Sequence, residues 1–204
     1  KAIIFDMDGV LVDSEKFWKQ AEYEVFTALG VNVTDEWCIQ TKTMTTQEVT
    51  RFWYKKFPWN NTSLNDVEQL VINRVIELIR TEDCGTLGIR TFIESLLNKQ
   101  RYKIGLATNS PQRVIPVVLE KTRTSHLFDA VSSADSEVQG KPDPAIYFTM
   151  AKKLNVAPFQ CVVIEDSESG ILAAKKAGMA VIAFTNGNTI QSFELADHHI
   201  SSFL

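Results

Sequence analysis

The chain has 204 residues, 45% hydrophobic and 23% charged, with a formal net charge of −4 at pH 7. This is an ordinary globular balance, with room for one domain or for one domain and a small insert. A negative chain without a basic run sets nucleic acid aside as a partner. No apolar stretch reaches the roughly 18 residues of a membrane span, which sets aside a membrane protein.

The first element is the apolar run Ala2–Phe5, which reads as a buried strand. It is too short, and too soon broken by acids, to be a secretory signal. Asp6-Met7-Asp8-Gly9 follows it, two carboxylates two residues apart. Carboxylates repel one another and cost free energy when partly buried, so their position needs a reason.

From about Glu15 to Asp83 every signal is helical. Trp18, Ala21, Val25 and Leu29 share one face, and Gly30 closes that helix. Val49, Phe52, Trp53 and Phe57 share a second face, ended by Pro58. Val67, Leu70, Val71, Ile76 and Ile79 share a third, entered through Ser63. The spacing predicts an inserted helical cap over residues 15–85, with residues 1–14 and 86–204 as the core. The borders, Asp13–Glu15 and Asp83–Gly88, are short and polar or contain glycine, as hinges are.

Beyond the cap, short apolar runs alternate with helical patterns. Strands are expected at Tyr102–Ala107, Ala130–Ser132, Cys161–Ile164 and Ala180–Phe184. Ile89, Phe92, Ile93, Leu96 and Leu97 follow a helical period. Ser110–Pro111 reads as the N-cap and first position of a helix, and Asp143–Pro144 as the same for one ending near Asn155. Ser169 to Ala177 reads as a helix stopped by Gly178. The predicted fold is α/β, a Rossmann-like doubly wound parallel sheet with an inserted α-helical cap.

Cys38, Cys84 and Cys161 are widely spaced and odd in number. They read as small buried residues of a cytoplasmic protein, not as a disulfide frame. His126, His198 and His199 have no Cys or His at ligand spacing, so zinc is not expected.

Open parallel sheets bind ligands beyond the carboxyl ends of their strands. Those ends carry Asp6 and Asp8, then Thr108-Asn109-Ser110, then Gly140-Lys141-Pro142 past a loop, then Glu165-Asp166-Ser167. Each piece alone has a plain structural reading: a turn, an N-cap, a solvated lysine, a helix start. Together they place four carboxylates, one lysine and a hydroxyl on one sheet edge. Crowded oxygen ligands suit Mg²⁺. A lysine and a helix N-terminus favour phosphate, and the combination points to phosphoryl transfer with aspartate as nucleophile.

The same segments, FDMDGVLVDSE, ATNS, GKPDPAIY and IEDSESG, resemble the four motifs of haloacid dehalogenase-superfamily phosphatases. The helical insert resembles the cap of the β-phosphoglucomutase-like group within that superfamily. The resemblance spans essentially the whole chain. It implies Asp6 as nucleophile and Asp8 as general acid and base. It also implies Thr108 and Lys141 as the phosphate-holding pair, with Asn109 adding its backbone N–H. Asp6, the carbonyl of Asp8 and Asp166 resemble the Mg²⁺ ligands, and Glu165 an accessory ligand or an acid just behind them.

The cap stretches DSEKFWKQAE, FWYKKFPWN and VINRVIELI are similar to bacterial 2-deoxyglucose-6-phosphate and hexitol phosphatases. The sugar phosphomutases have a histidine where this chain has Trp18, and an arginine in the loop that here reads Thr43-Met44-Thr45-Thr46. The resemblance therefore implies a sugar phosphatase, with Trp18 as a flat surface for the sugar and a β-phosphoglucomutase-type mutase as the alternative. The similar phosphatases also carry a glycine and an arginine in the Thr43–Thr46 loop, and their absence here leaves the sugar open. The expected partner is a small phosphorylated metabolite, handled by a cytoplasmic monomer.

Overall fold

The structure is a computed structural model that describes residues 1–41, 44–99, 101–187 and 193–204. In chain order, β1 (Ala2–Phe5) leads to α1 (Glu15–Ala28), α2 (Asp35–Thr41), α3 (Thr46–Lys56), α4 (Leu64–Thr81) and α5 (Ile89–Asn98). Then come β2 (Lys103–Thr108), α6 (Ile115–Thr122), β3 (Ala130–Ser133), α7 (Ala145–Leu154), β4 (Cys161–Glu165), α8 (Glu168–Lys176), β5 (Ala180–Phe184) and β6 (His198–Ile200). The chain divides into two compact units, Lys1–Asp13 with Cys84–Leu204, and Ser14–Asp83.

The first unit is a six-stranded sheet in the order β3-β2-β1-β4-β5-β6, parallel throughout. Alternation along each strand assigns side chains to the two faces. Ala2 and Ile4 of β1 join Val181 and Ala183 of β5 in a core with Ile146 and Met150 of α7 and Ile171 and Ala174 of α8. Phe5 turns to the other face and meets Phe92 of α5 edge-on, at 6.3 Å between ring centroids. Phe184 turns the same way and stacks on Phe203 at 4.4 Å. Cover on both faces is why these strands read as short unbroken apolar runs.

The second unit is helical. α1 and α3 both pack on α4. Ser63 Oγ accepts the Asp66 N–H at 3.1 Å and caps α4, as its position predicts. Thr45 and Glu48 form a capping box that opens α3. Phe26 of α1 lies 5.9 Å from Trp53 and 6.1 Å from Trp59, centroid to centroid.

Several expectations need correction. The buried residues of α1 are Phe17, Ala21 and Phe26, whereas Trp18, Val25 and Leu29 are only half-buried. The face is rotated because the unit's aromatic cluster recruits Phe26. α2 was not anticipated; it buries only Thr41, so it leaves no apolar period to read. β6 was not anticipated either. Its three residues, His-His-Ile, hold no apolar run and depend on their ladder with β5. The helix expected at Ser110–Pro111 begins at Ile115, after a turn in which the Val114 N–H donates to the Pro111 carbonyl at 2.9 Å. Ser110 does not cap it, because its hydroxyl is committed to Asp8. Among the described residues no helix is long and apolar enough to cross a membrane.

Candidate active site

The strand order reverses at β1, which has β2 on one side and β4 on the other. A crevice outside the carboxyl ends of such strands is where open α/β sheets bind ligands. The Asp6 N–H is still in the ladder, donating to the Ile164 carbonyl at 3.0 Å. The chain then folds back tightly, with Gly9 N–H to the Val12 carbonyl at 2.7 Å and Leu11 N–H to the Met7 carbonyl at 2.8 Å. Gly9 has φ +80°, and a Cβ there would fall on the Asp166 carboxylate. The turn thus brings the segments after β1 and β4 together.

Lys141 supplies the cation from the loop between β3 and α7. Its ammonium is buried and donates to Asp6 Oδ1 at 2.5 Å, Glu165 Oε1 at 2.6 Å and the Ala107 carbonyl at 2.9 Å. Three donors therefore meet three acceptors, one from each of three adjacent strands' ends. The Asn109 side chain clamps the backbone of the same lysine, accepting Lys141 N–H at 2.8 Å and donating to its carbonyl at 3.2 Å. Asn109 was expected to contribute its backbone N–H to phosphate; its side chain has this second task, invisible in the sequence.

Glu165 is fully buried, and both its oxygens are occupied. Oε1 takes Lys141 and the Tyr147 hydroxyl, the latter at 3.0 Å. Oε2 accepts from Asp166 N–H at 3.0 Å, Ser167 N–H at 3.2 Å and Ser167 Oγ at 2.9 Å. Oxygens of Asp6, Glu165 and Asp166 lie within 4.8 Å of one another. With Glu165 committed to the chain's own donors, Asp6 and Asp166 are the carboxylates left to meet an ion. Asp8 points elsewhere: its Oδ2 accepts from Ser110 Oγ at 2.6 Å and Thr108 Oγ1 at 3.2 Å.

Charge in the site is lopsided. Burial pushes the Asp6 carboxyl up to about 8 against the pull of Lys141, and Glu165 and Asp8 add to the rise. Burial also holds Asp166 well above the usual carboxylate range, reinforced by Glu165 and Asp6. Burial opposes the charge on Lys141, but Asp6 and Glu165 outweigh it and lift its pKa well above the ordinary value. Among the described residues Lys141 is thus the one cation held against Asp6 and Glu165, with Asp8 and Asp166 adding negative charge beside them. An oxygen-only donor set short of positive charge fits a hard divalent cation such as Mg²⁺.

Gly170, in the first turn of α8, leaves the space that Glu165 fills. A Cβ there would land on the Glu165 carboxylate, which two backbone N–H groups hold in place. Gly170→Ala is therefore expected to destabilise the core by about 1–3 kcal/mol, the usual cost of overpacking. A thermal melt of the variant tests this; an unchanged midpoint would mean that Glu165 sits elsewhere.

Two residues of this network carried no assigned role in the sequence reading. Ser110 belongs to Thr108-Asn109-Ser110 but read as a cap. Tyr147 has the spacing of a core residue on α7, and no sequence signal shows that its hydroxyl reaches Glu165 or that Lys141 lies 5.0 Å from its ring centroid. Trp18 lies half-buried on α1 of the helical unit. Of the Thr43–Thr46 loop, Thr43 lies outside the described residues.

Residues 3–184 match the family described as haloacid dehalogenase-like hydrolase. The chain is 36% identical over 204 residues to hexitol phosphatase B of Escherichia coli (strain K12), covering 98% of this chain and 91% of that protein. It is 33% identical over 182 residues to the phosphorylated carbohydrates phosphatase of Thermotoga maritima, covering 88% and 82%. Among solved structures, CbbY of Rhodobacter sphaeroides in complex with xylulose-1,5-bisphosphate superposes with a TM-score of 0.87 at 25% identity, covering 99% of this chain and 94% of that one.

Proposed function

This chain belongs to the haloacid dehalogenase-like hydrolase family, and we propose that within it the protein is a Mg²⁺-dependent phosphatase of small sugar or sugar-alcohol phosphates that works through an aspartyl-phosphate. The observation that carries this reading is the buried Lys141 ammonium locked between Asp6, Glu165 and the Ala107 carbonyl at the switch point of the sheet. The names of the two phosphatase relatives support the substrate class.

In the first step an Asp6 oxygen attacks phosphorus. The bond from phosphorus to the sugar oxygen breaks, and Asp8 gives that oxygen its proton. In the second step water attacks the phosphorus of the aspartyl-phosphate and Asp8 takes the water's proton. The bond from phosphorus to Asp6 breaks, inorganic phosphate leaves and the Asp6 carboxylate returns. Lys141 stays against Asp6 throughout and offsets charge on the transferring group. Thr108 and the Asn109 N–H hold the phosphate. Asp6, the carbonyl of Asp8 and Asp166 would hold Mg²⁺, which when bound offsets the charge of a phosphate dianion beside these carboxylates, while Glu165 stays behind as the anchor of Lys141. Trp18 is assigned the sugar face on sequence alone. We propose a cytoplasmic setting, which the thiols of Cys38, Cys84 and Cys161, outside any disulfide, fit.

NMR of glucose 1-phosphate and 2-deoxyglucose 6-phosphate with the enzyme tests this reading. Inorganic phosphate should appear with Mg²⁺, without stimulation by a sugar bisphosphate, and should stop after exhaustive chelation. Interconversion of glucose 1- and 6-phosphates faster than phosphate release would replace the phosphatase with a mutase. Full activity after chelation would remove the metal.

A further inference from the structure

The Thr108 hydroxyl has one proton. It accepts from the Ser110 N–H at 2.9 Å and spends that proton on Asp8 Oδ2 at 3.2 Å. A bound phosphate held by Thr108 must take this proton, so Asp8 then loses the Thr108 bond. The Ser110 hydroxyl, at 2.6 Å from the same oxygen, remains.

Ser110 is built to stay. It is 8% exposed. Its N–H is bound to Thr108, and its carbonyl accepts from the Oγ of the fully buried Ser133 at 2.7 Å. The hydroxyl thus comes from a backbone pinned on both sides, on the strand end beside Asp8.

We infer that Ser110 is the positioning residue of the general acid, holding Asp8 by Oδ2 for its step at the leaving sugar oxygen once Thr108 has turned to the phosphate. This rests on the proposed role of Asp8. The step it serves is the first one above, in which the bond from phosphorus to the sugar oxygen breaks and the sugar oxygen receives the proton of Asp8.

The leaving group separates positioning from a structural role. kcat/KM reports the steps up to the aspartyl-phosphate. 2-Deoxyglucose 6-phosphate needs a proton on its leaving oxygen, whereas p-nitrophenyl phosphate releases a stable phenolate without one. Loss of one hydrogen bond to a charged group corresponds to about 10–100-fold in rate. Ser110→Ala should therefore lower kcat/KM on the sugar phosphate by about that factor, and lower it at least tenfold less on p-nitrophenyl phosphate. Ser110→Thr, which keeps the hydroxyl, should retain the wild-type ratio between the two substrates. Equal losses on both substrates, or no loss on either, would overturn the inference. Asp8→Ala is the control. If it too shows no dependence on the leaving group, the acid role of Asp8 itself fails. If Asp8→Ala shows the dependence and Ser110→Ala does not, only the Ser110 inference fails.

Discussion

Asp6→Asn is expected to reduce phosphate release below about 1% of the wild-type rate while the core stays folded. The amide has the shape of the carboxylate but is a poor nucleophile, and it brings no charge to a cation. The fold should tolerate the change because Lys141 keeps Glu165 and the Ala107 carbonyl as acceptors. The electrostatics go further. Asp6 has a folded-state pKa of about 8 against an ordinary 3.8. The folded chain therefore holds this proton more tightly than the unfolded chain does, and without metal it loses stability as pH rises from the carboxylate range toward 8. The variant has no such proton. Its chelated form should melt no lower than the wild type near neutral pH. Retained hydrolysis above about 1% would end the nucleophile assignment, and a variant that fails to fold would show that the charge of Asp6 is needed by Lys141.

Asp8→Ala should slow both chemical steps, because one group serves as acid in the first and as base in the second. Such help is worth about 10²–10⁴-fold per step. The substitution takes the acceptor Asp8 Oδ2 from the Ser110 and Thr108 hydroxyls but leaves the backbone beside it pinned: Thr108 still accepts from the Ser110 N–H, and Ser133 still holds the Ser110 carbonyl. The loss should therefore be chemical, not structural. With a leaving group that needs no proton, the first step suffers less than the second and the phosphorylated enzyme accumulates. Mass spectrometry of the quenched variant after mixing with p-nitrophenyl phosphate should show it. A variant within tenfold of wild type on sugar phosphates would remove Asp8 from the chemistry.

Much of this molecule is legible in the sequence because its signals are local. Ala2–Phe5 and Ala180–Phe184 are recognisable as strands since a buried parallel strand must be apolar on both faces. Ser63 announces α4 because an N-cap acts within three residues. Asp6, Asp8, Lys141 and Asp166 are visible as candidates because each follows a strand or loop where bare charge has no packing use. The carboxylates and the lysine as candidates, the alternation of strands and helices and a helical stretch after β1 are all legible at that level.

What the sequence could not decide is which of these groups answers which. The Lys141–Asp6 bond joins residues 135 apart, and the Ser110–Asp8 bond residues 102 apart. Both exist only because β2 and β4 flank β1 in the sheet. That order makes Glu165 an anchor of Lys141, since its oxygens are filled by Tyr147 and by the turn after β4 before an ion can claim them. It also takes Ser110 away from helix capping and gives it to Asp8. The choice of partner for a buried polar group follows from which donors the tertiary fold puts within hydrogen-bond reach, because a buried group left without one costs about 1–3 kcal/mol.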